Sequence, residues 1–244
     1  MRAQAGPFQL SITLDPNRMP AQDTDRDIRI QGDMYWFESP RYFGQLNFRS
    51  NVGHLACNPV RAFESIDYCI RVITAVKAFE AGGLLVHGAG AIAANGFGLL
   101  LFGKSGDGKT TASRFLEQDP RFICLNDDLV LLQPDGGDWK LISTPFTNPS
   151  QSQPRSGQTR LDQMFVLHKA TKDELVELSP AAQLARFLGV IPVIPLDQDK
   201  LPSLMHRITQ IVMSVPVNQI NFRKRADFID YLLQPRKSPP QASS

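Results

Sequence analysis

Apolar and polar residues change rhythm along this chain, and the changes divide it. Phe8-Gln9-Leu10-Ser11-Ile12-Thr13-Leu14 alternates with period two, the pattern of a half-buried strand, until Asp15-Pro16-Asn17 breaks it. Asp27–Ile30 and Met34–Phe37 flank Gln31-Gly32-Asp33, which predicts two short strands about a turn. Residues 1–63 therefore read as a small β-rich lobe. Its Trp36, Phe37, Tyr42 and Phe43 fit a core or lobe interface better than a substrate surface, since aromatics at this spacing are mostly packed.

From Ser65 the period becomes helical. Ile66, Ile70 and Ile73 form one line and Val72, Val76 and Phe79 an adjoining one, until Ala81-Gly82-Gly83 stops the helix. Leu84–Val86, Ala89–Ala93 and Phe97–Phe102 read as closely spaced strands, the last two joined by Ala94-Asn95-Gly96 as a hairpin. Such a hairpin makes the sheet mixed rather than all parallel. Thr110–Glu117 is a short helix and Phe122–Leu125 a buried strand ending in Asn126-Asp127-Asp128. Leu129–Gln133 and Trp139–Ile142 pair across Pro134-Asp135-Gly136-Gly137.

Thr147–Thr159 is polar and long, a functional loop or a disordered segment, with Arg155 inside it and Arg160 beside it. Met164–His168 is a strand. Ser179-Pro180 caps a helix through Leu188, Pro202–Val215 forms another, and Val217–Phe222 and Asp227–Leu233 close the domain as strand and helix. This gives an α/β chain with a catalytic domain over 64–235 and a solvated, disordered tail over 236–244.

Composition narrows the partners. A 244-residue chain with net charge +2 and no dense basic stripe argues against nucleic acid. Ala81–Phe102 lacks acids and bases and is long enough to cross a bilayer, yet its glycines, His87 and Asn95-Gly96 mark it as a hairpin, so no membrane partner is expected. Cys57, Cys69 and Cys124 lie far apart and form no C-x-x-C pair, which fits a reducing cytoplasm and neither a zinc site nor a disulfide framework. The amino terminus has no apolar core of a secretory signal.

The chemistry sits in Gly103-Lys104-Ser105-Gly106-Asp107-Gly108-Lys109-Thr110-Thr111, which fills every fixed position of G-x-x-x-x-G-K-[ST] between a strand and a helix. Glycines let backbone N–H groups turn onto phosphate oxygens. Lys109 then meets the β- and γ-phosphates, Thr110 offers a hydroxyl to Mg²⁺, and the helix points its positive end at the anion. Asp127 stands 18 positions after Lys109, followed at once by Asp128. One carboxylate of such a pair suits Mg²⁺ and the other the proton of an acceptor hydroxyl, provided that the strand ends there, because neighbours on a strand face opposite ways. A turn-forming Asn-Asp-Asp sequence is the plainer alternative. His87, closing an apolar strand, reads from the residues alone as a core histidine. His54, His168 and His206 have no motif around them.

Val86-His87-Gly88, the Asn95-Gly96-Phe97-Gly98 turn, the phosphate loop and Asn126-Asp127-Asp128 together resemble the catalytic core of the HPr kinase/phosphorylase family, whose P-loop fold is related to PEP carboxykinase. The resemblance is specific over Leu84 to about Leu132 and rests on element order through Met164–Leu233. It implies a mixed-sheet P-loop domain that binds ATP with Mg²⁺, with His87, Lys109 and Asp127 catalytic, Asp127 as base, and Thr110 and Asp128 on the metal. Thr110-Thr111-Ala112 departs from true HPr kinases, as do the missing downstream glycine-rich signature and the missing amino-terminal domain. The chain is more similar to the HPr-kinase-like proteins of peptide-modification gene clusters, some of which resemble kinases acting on a serine of a ribosomal peptide precursor.

The expectation is an ATP- and Mg²⁺-dependent kinase that phosphorylates a serine or threonine hydroxyl of a peptide or protein, with Arg155 or Arg160 closing over the transferring group. Its rivals are a nucleotide-binding regulatory or scaffolding module without transfer and a simple nucleotide hydrolase. Self-association is left open.

Overall fold

The computed structural model describes residues 6–20, 27–104, 106–147, 155–223 and 225–233. The chain divides into two compact units, one of Met1–Val76 with Leu196–Asp199, the other of Lys77–Pro195 with Lys200–Ser244. The tail expected over 236–244, and the heart of the polar loop at 148–154, lie outside the described residues.

The first unit is a five-stranded sheet of β1 (Gln9–Leu14), β2 (Asp27–Gln31), β3 (Met34–Ser39), β4 (Tyr42–Asn47) and β5 (Val52–Cys57) in the order β1-β5-β4-β3-β2. Only β1 and β5 run parallel. The turn at Gly32 takes φ of +55°, the left-handed region that glycine enters without strain. Phe37 and Tyr42 are buried and pack with Tyr68 of helix α1 (Ala62–Glu80) at ring separations of 5.5–5.8 Å. Gly44 is required beneath Phe37, whose ring lies 2.1 Å from where a Cβ would stand. Trp36 and Phe43 are only half buried. The hydroxyl of Tyr35 donates to Asp197 Oδ2 at 2.5 Å, pairing two buried polar groups within this unit.

Helix α1 crosses the division. Of its two apolar lines only one is fully buried: Cys69, Val72, Val76 and Phe79 are enclosed, whereas Ile70 is exposed.

The second unit is a mixed sheet of nine strands: β6 (Leu84–Ala93), β7 (Gly98–Phe102), β8 (Phe122–Asn126), β9 (Leu129–Asp135), β10 (Asp138–Ser143), β11 (Gln158–Arg160), β12 (Gln163–Lys169), β13 (Glu174–Glu177) and β14 (Val217–Phe222). The order is β11-β10-β9-β6-β7-β12-β14-β13, with β8 also paired to β6. β7, β12 and β14 are parallel neighbours, and β6 is antiparallel to β7 across the Gly96 hairpin. The helices are α2 (Lys109–Gln118), α3 (Pro180–Leu188), α4 (Leu201–Ser214) and α5 (Ile229–Leu232).

Leu84–Val86 and Ala89–Ala93 are one ten-residue strand rather than two. Gly88 does not break it: a Cβ there would come within 2.8 Å of Leu101 O, so the glycine serves the close approach of β7. β11 forms at the end of the stretch that reads as loop and β13 in a stretch for which the sequence predicts no element, each a short partner for a neighbour already in place.

Alternate residues of these strands build the core. Ala89, Ala91, Leu99, Leu101, Phe165, Leu167, Ile220 and Phe222 face Ala112 and Leu116 of α2 and the Phe228–Leu232 segment. On β7 the other parity includes Phe102, whose ring meets Phe187 of α3 edge-on at 5.4 Å. Buried on both sides, β7 delivers the chain rigidly to the loop that follows it.

Candidate active site

The site is where β7 ends. Antiparallel pairing sets Gly88 opposite Phe102, so His87 of β6 sits at the level at which β7 gives way to the phosphate loop. β8 pairs with the same β6, with Asn126 opposite Gly90, and therefore ends at the same edge. Three segments far apart in sequence converge because each is registered against one strand.

The loop has the form that an anion cradle needs. Gly106 and Gly108 have φ of +90° and +101°, and a Cβ on Gly108 would lie 2.6 Å from the Phe222 ring. Gly108 is also the N-cap of α2, and no side chain caps that end. The first-turn N–H groups and the positive end of the helix are thus left for a ligand. Lys109 is buried and its Nζ donates to Gly103 O at 2.7 Å and Lys104 O at 3.0 Å. Burial holds its ammonium below the ordinary lysine range, and the carboxylates of Asp107 and Asp128 oppose that shift. Thr110 and Thr111 open α2 half buried, and Ser105 lies outside the described residues.

The acid pair lies past the end of β8, so the two carboxylates are released from the alternation of a strand. Asn126, wholly buried, ties the bend shut: its amide nitrogen donates to Leu129 O, to Thr144 Oγ1 at 3.2 Å and to Phe146 O at 3.1 Å. Asp127 is buried. The Gly88 N–H donates to Asp128 O at 3.0 Å, which docks the bend on β6.

His87 belongs to this group and is not a core histidine, since its side chain is 44% exposed. Its Nδ1 lies 2.8 Å from Asp128 O and 3.1 Å from Asp128 Oδ1. Both partners only accept, so Nδ1 carries the proton and Nε2 is the free nitrogen. Its own backbone N–H donates to Val190 O at 2.8 Å.

The two arginines part company. Arg155 is held near the acid bend, its N–H donating to Leu125 O at 3.1 Å. Arg160 lies with Gly98 at the opposite end of β7, and its guanidinium is paired with Asp162. It is not placed to close over the loop. Lys169 is a residue that sequence reasoning missed. It ends β12, and its Cε is 3.5 Å from where a Cβ on Gly108 would stand. The signal lies in the parallel pairing of β12 with β7, which only the fold reveals.

No family model matches the chain, and none of the curated proteins matches it. A solved structure that it matches is the Hpr(Ser) kinase/phosphatase from Coxiella burnetii, 10% identical, covering 60% of this chain and 90% of that one, with a TM-score of 0.32. Overlap that low carries no argument about this chain, and the site rests on its own geometry.

That geometry fits a nucleotide and Mg²⁺ chemically. The open N-terminus of α2 and the glycine turn suit phosphate oxygens. Among the described residues no group of three or more His, Cys, Asp or Glu is arranged to hold a metal. Mg²⁺ asks for less, commonly one or two carboxylates with phosphate oxygens and water. No helix among the described residues is long and apolar enough to cross a membrane.

Proposed function

We propose that the chain is an ATP- and Mg²⁺-dependent kinase that transfers the γ-phosphoryl group to a serine or threonine hydroxyl of a peptide or protein. The observation that carries this reading is the convergence of Lys109, the uncapped start of α2, His87 and the Asp127-Asp128 bend where β7 and β8 end against the middle of β6. A bare phosphate-binding loop needs only the first two. An acid pair and an imidazole beside it supply what a transfer to a hydroxyl requires.

ATP brings the transferable group and Mg²⁺ offsets charge on its terminal phosphates. The amides of Gly106–Thr111 and the ammonium of Lys109 hold the phosphates in place of water. Thr110 and Asp128 are the metal ligands. Asp127 takes the proton of the acceptor hydroxyl as the oxygen attacks, and its burial excludes water from competing for that position. His87 steadies Asp128 through Nδ1. Of the two arginines, Arg155 is the one assigned to the transferring group. A cytoplasmic location and a peptide or protein partner follow from the same reading.

Incubation with γ-labelled ATP, Mg²⁺ and seryl or threonyl peptides tests it. Label on the peptide is the expected result, lowered about 10²–10⁴-fold in Asp127→Ala with nucleotide still bound. Free phosphate alone makes the chain a hydrolase, and bound ATP without turnover makes it a nucleotide-binding module.

A further inference from the structure

The loop contains an acid where its pattern asks for none. Asp107 occupies a variable position of G-x-x-x-x-G-K-[ST], and a negative charge beside a triphosphate is unfavourable by Coulomb's law. A compensating reason is visible in the bonds it makes. Its Oδ2 accepts the Lys104 N–H at 2.8 Å, while its own N–H donates to Lys104 O at 3.2 Å. The two bonds tie Asp107 to Lys104 from both sides. The same carboxylate oxygen lies 3.1 Å from where a Cβ on Gly103 would stand, so it packs on the residue that ends the run of β7.

The segment so tied carries the carbonyls that anchor Lys109. Nζ donates to Gly103 O and Lys104 O, the residues gripped by Asp107. The lysine and the aspartate therefore fasten the same two residues, one by their carbonyls and the other by an amide and by contact.

We propose that Asp107 is a positioning residue, whose carboxylate braces the Gly103-Lys104 turn so that the phosphate loop holds its binding shape before nucleotide arrives. The inference rests on the phosphate-binding reading above and adds a device to it. A loop of three glycines loses much freedom on ordering, and a bond formed in advance lowers the cost of ordering it on binding. The cost of the brace is its charge. Hydrogen bond and charge separate in two variants, because Asn keeps an oxygen that can accept from Lys104 N–H and Ala keeps neither.

Amide hydrogen exchange over residues 103–109 is measured first, on the whole chain without nucleotide. Asp107→Ala should exchange the Lys104 amide about tenfold faster, and Asp107→Asn should stay near wild type. Calorimetric titration with ATP and Mg²⁺ follows. Asp107→Ala should bind about five- to tenfold more weakly, and Asp107→Asn about threefold more tightly than wild type, since the bond survives and the repulsion is gone. Unchanged exchange in Asp107→Ala, or an Asn variant as weak as the Ala variant, overturns the brace. A wild-type chain that binds no ATP but shows the expected exchange pattern sinks the nucleotide reading and leaves the brace standing.

Discussion

Asp127 and Asp128 are adjacent in sequence and differ in surroundings. Asp127 is enclosed, while Asp128 has His87 on its carboxylate and on its carbonyl. The proposed function gives the enclosed Asp127 the proton and Asp128 the metal. The glycine turn and the helix that follows it were legible from the sequence because they are local, lying within a few residues of one another. His87 was not legible from residues alone, because it lies inside β6 with apolar neighbours, and only the pairing of β6 with the ends of β7 and β8 shows that its side chain faces the site edge. Buried thiols give a pH test at this scale. Burial pushes Cys69 and Cys124 up to about 12. Below about pH 9 folded and unfolded chains both keep those protons, and between pH 9 and 12 only the folded chain does. Unfolding then releases protons, so stability falls as pH rises through that window. The urea midpoint should drop from pH 8.5 to 10.5, with Cys124 unreactive to iodoacetamide until the chain unfolds.

Elements were legible where their pattern was long. Helices α3 and α4 follow their capping serine, prolines and apolar spacing, and β8, β9 and β10 follow their turn residues. The misreadings share a cause. Leu84–Val86 and Ala89–Ala93 read as two strands, whereas Gly88 between them is a contact point inside one, and β11 and β13 have three and four residues, too few to show a period. Strand pairing over long separations is what the sequence conceals, and it is what brings Lys169 beside Gly108 and removes Arg160 from the site. Gly98 shows the same principle at the start of β7. Its N–H donates to Asp162 Oδ2 at 2.8 Å, and a Cβ there would lie 1.9 Å from Arg160 O. Gly98→Ala must push β7 off the 160–162 backbone and should cost about 3 kcal/mol in equilibrium unfolding. A loss under about 0.5 kcal/mol would show that the contact is loose.

Across the whole molecule, the second unit carries every proposed catalytic group, and its sheet is the reason that they meet. β6 pairs with β7, β8 and β9, so a single strand sets the loop, the acid bend and His87 against one another. The first unit contributes none of these residues; its β1, β2 and β3 were legible through alternation and a turn, while β4 and β5 emerge only from their pairing in the sheet. The central claim is that a nucleoside triphosphate seats its phosphates on the start of α2. Calorimetric titration of ATP with Mg²⁺ into wild type and Lys109→Ala addresses it most directly. Saturable one-to-one binding by wild type, weakened about a hundredfold in Lys109→Ala, is the predicted result. Binding of equal strength in both proteins, or none in wild type, would contradict it.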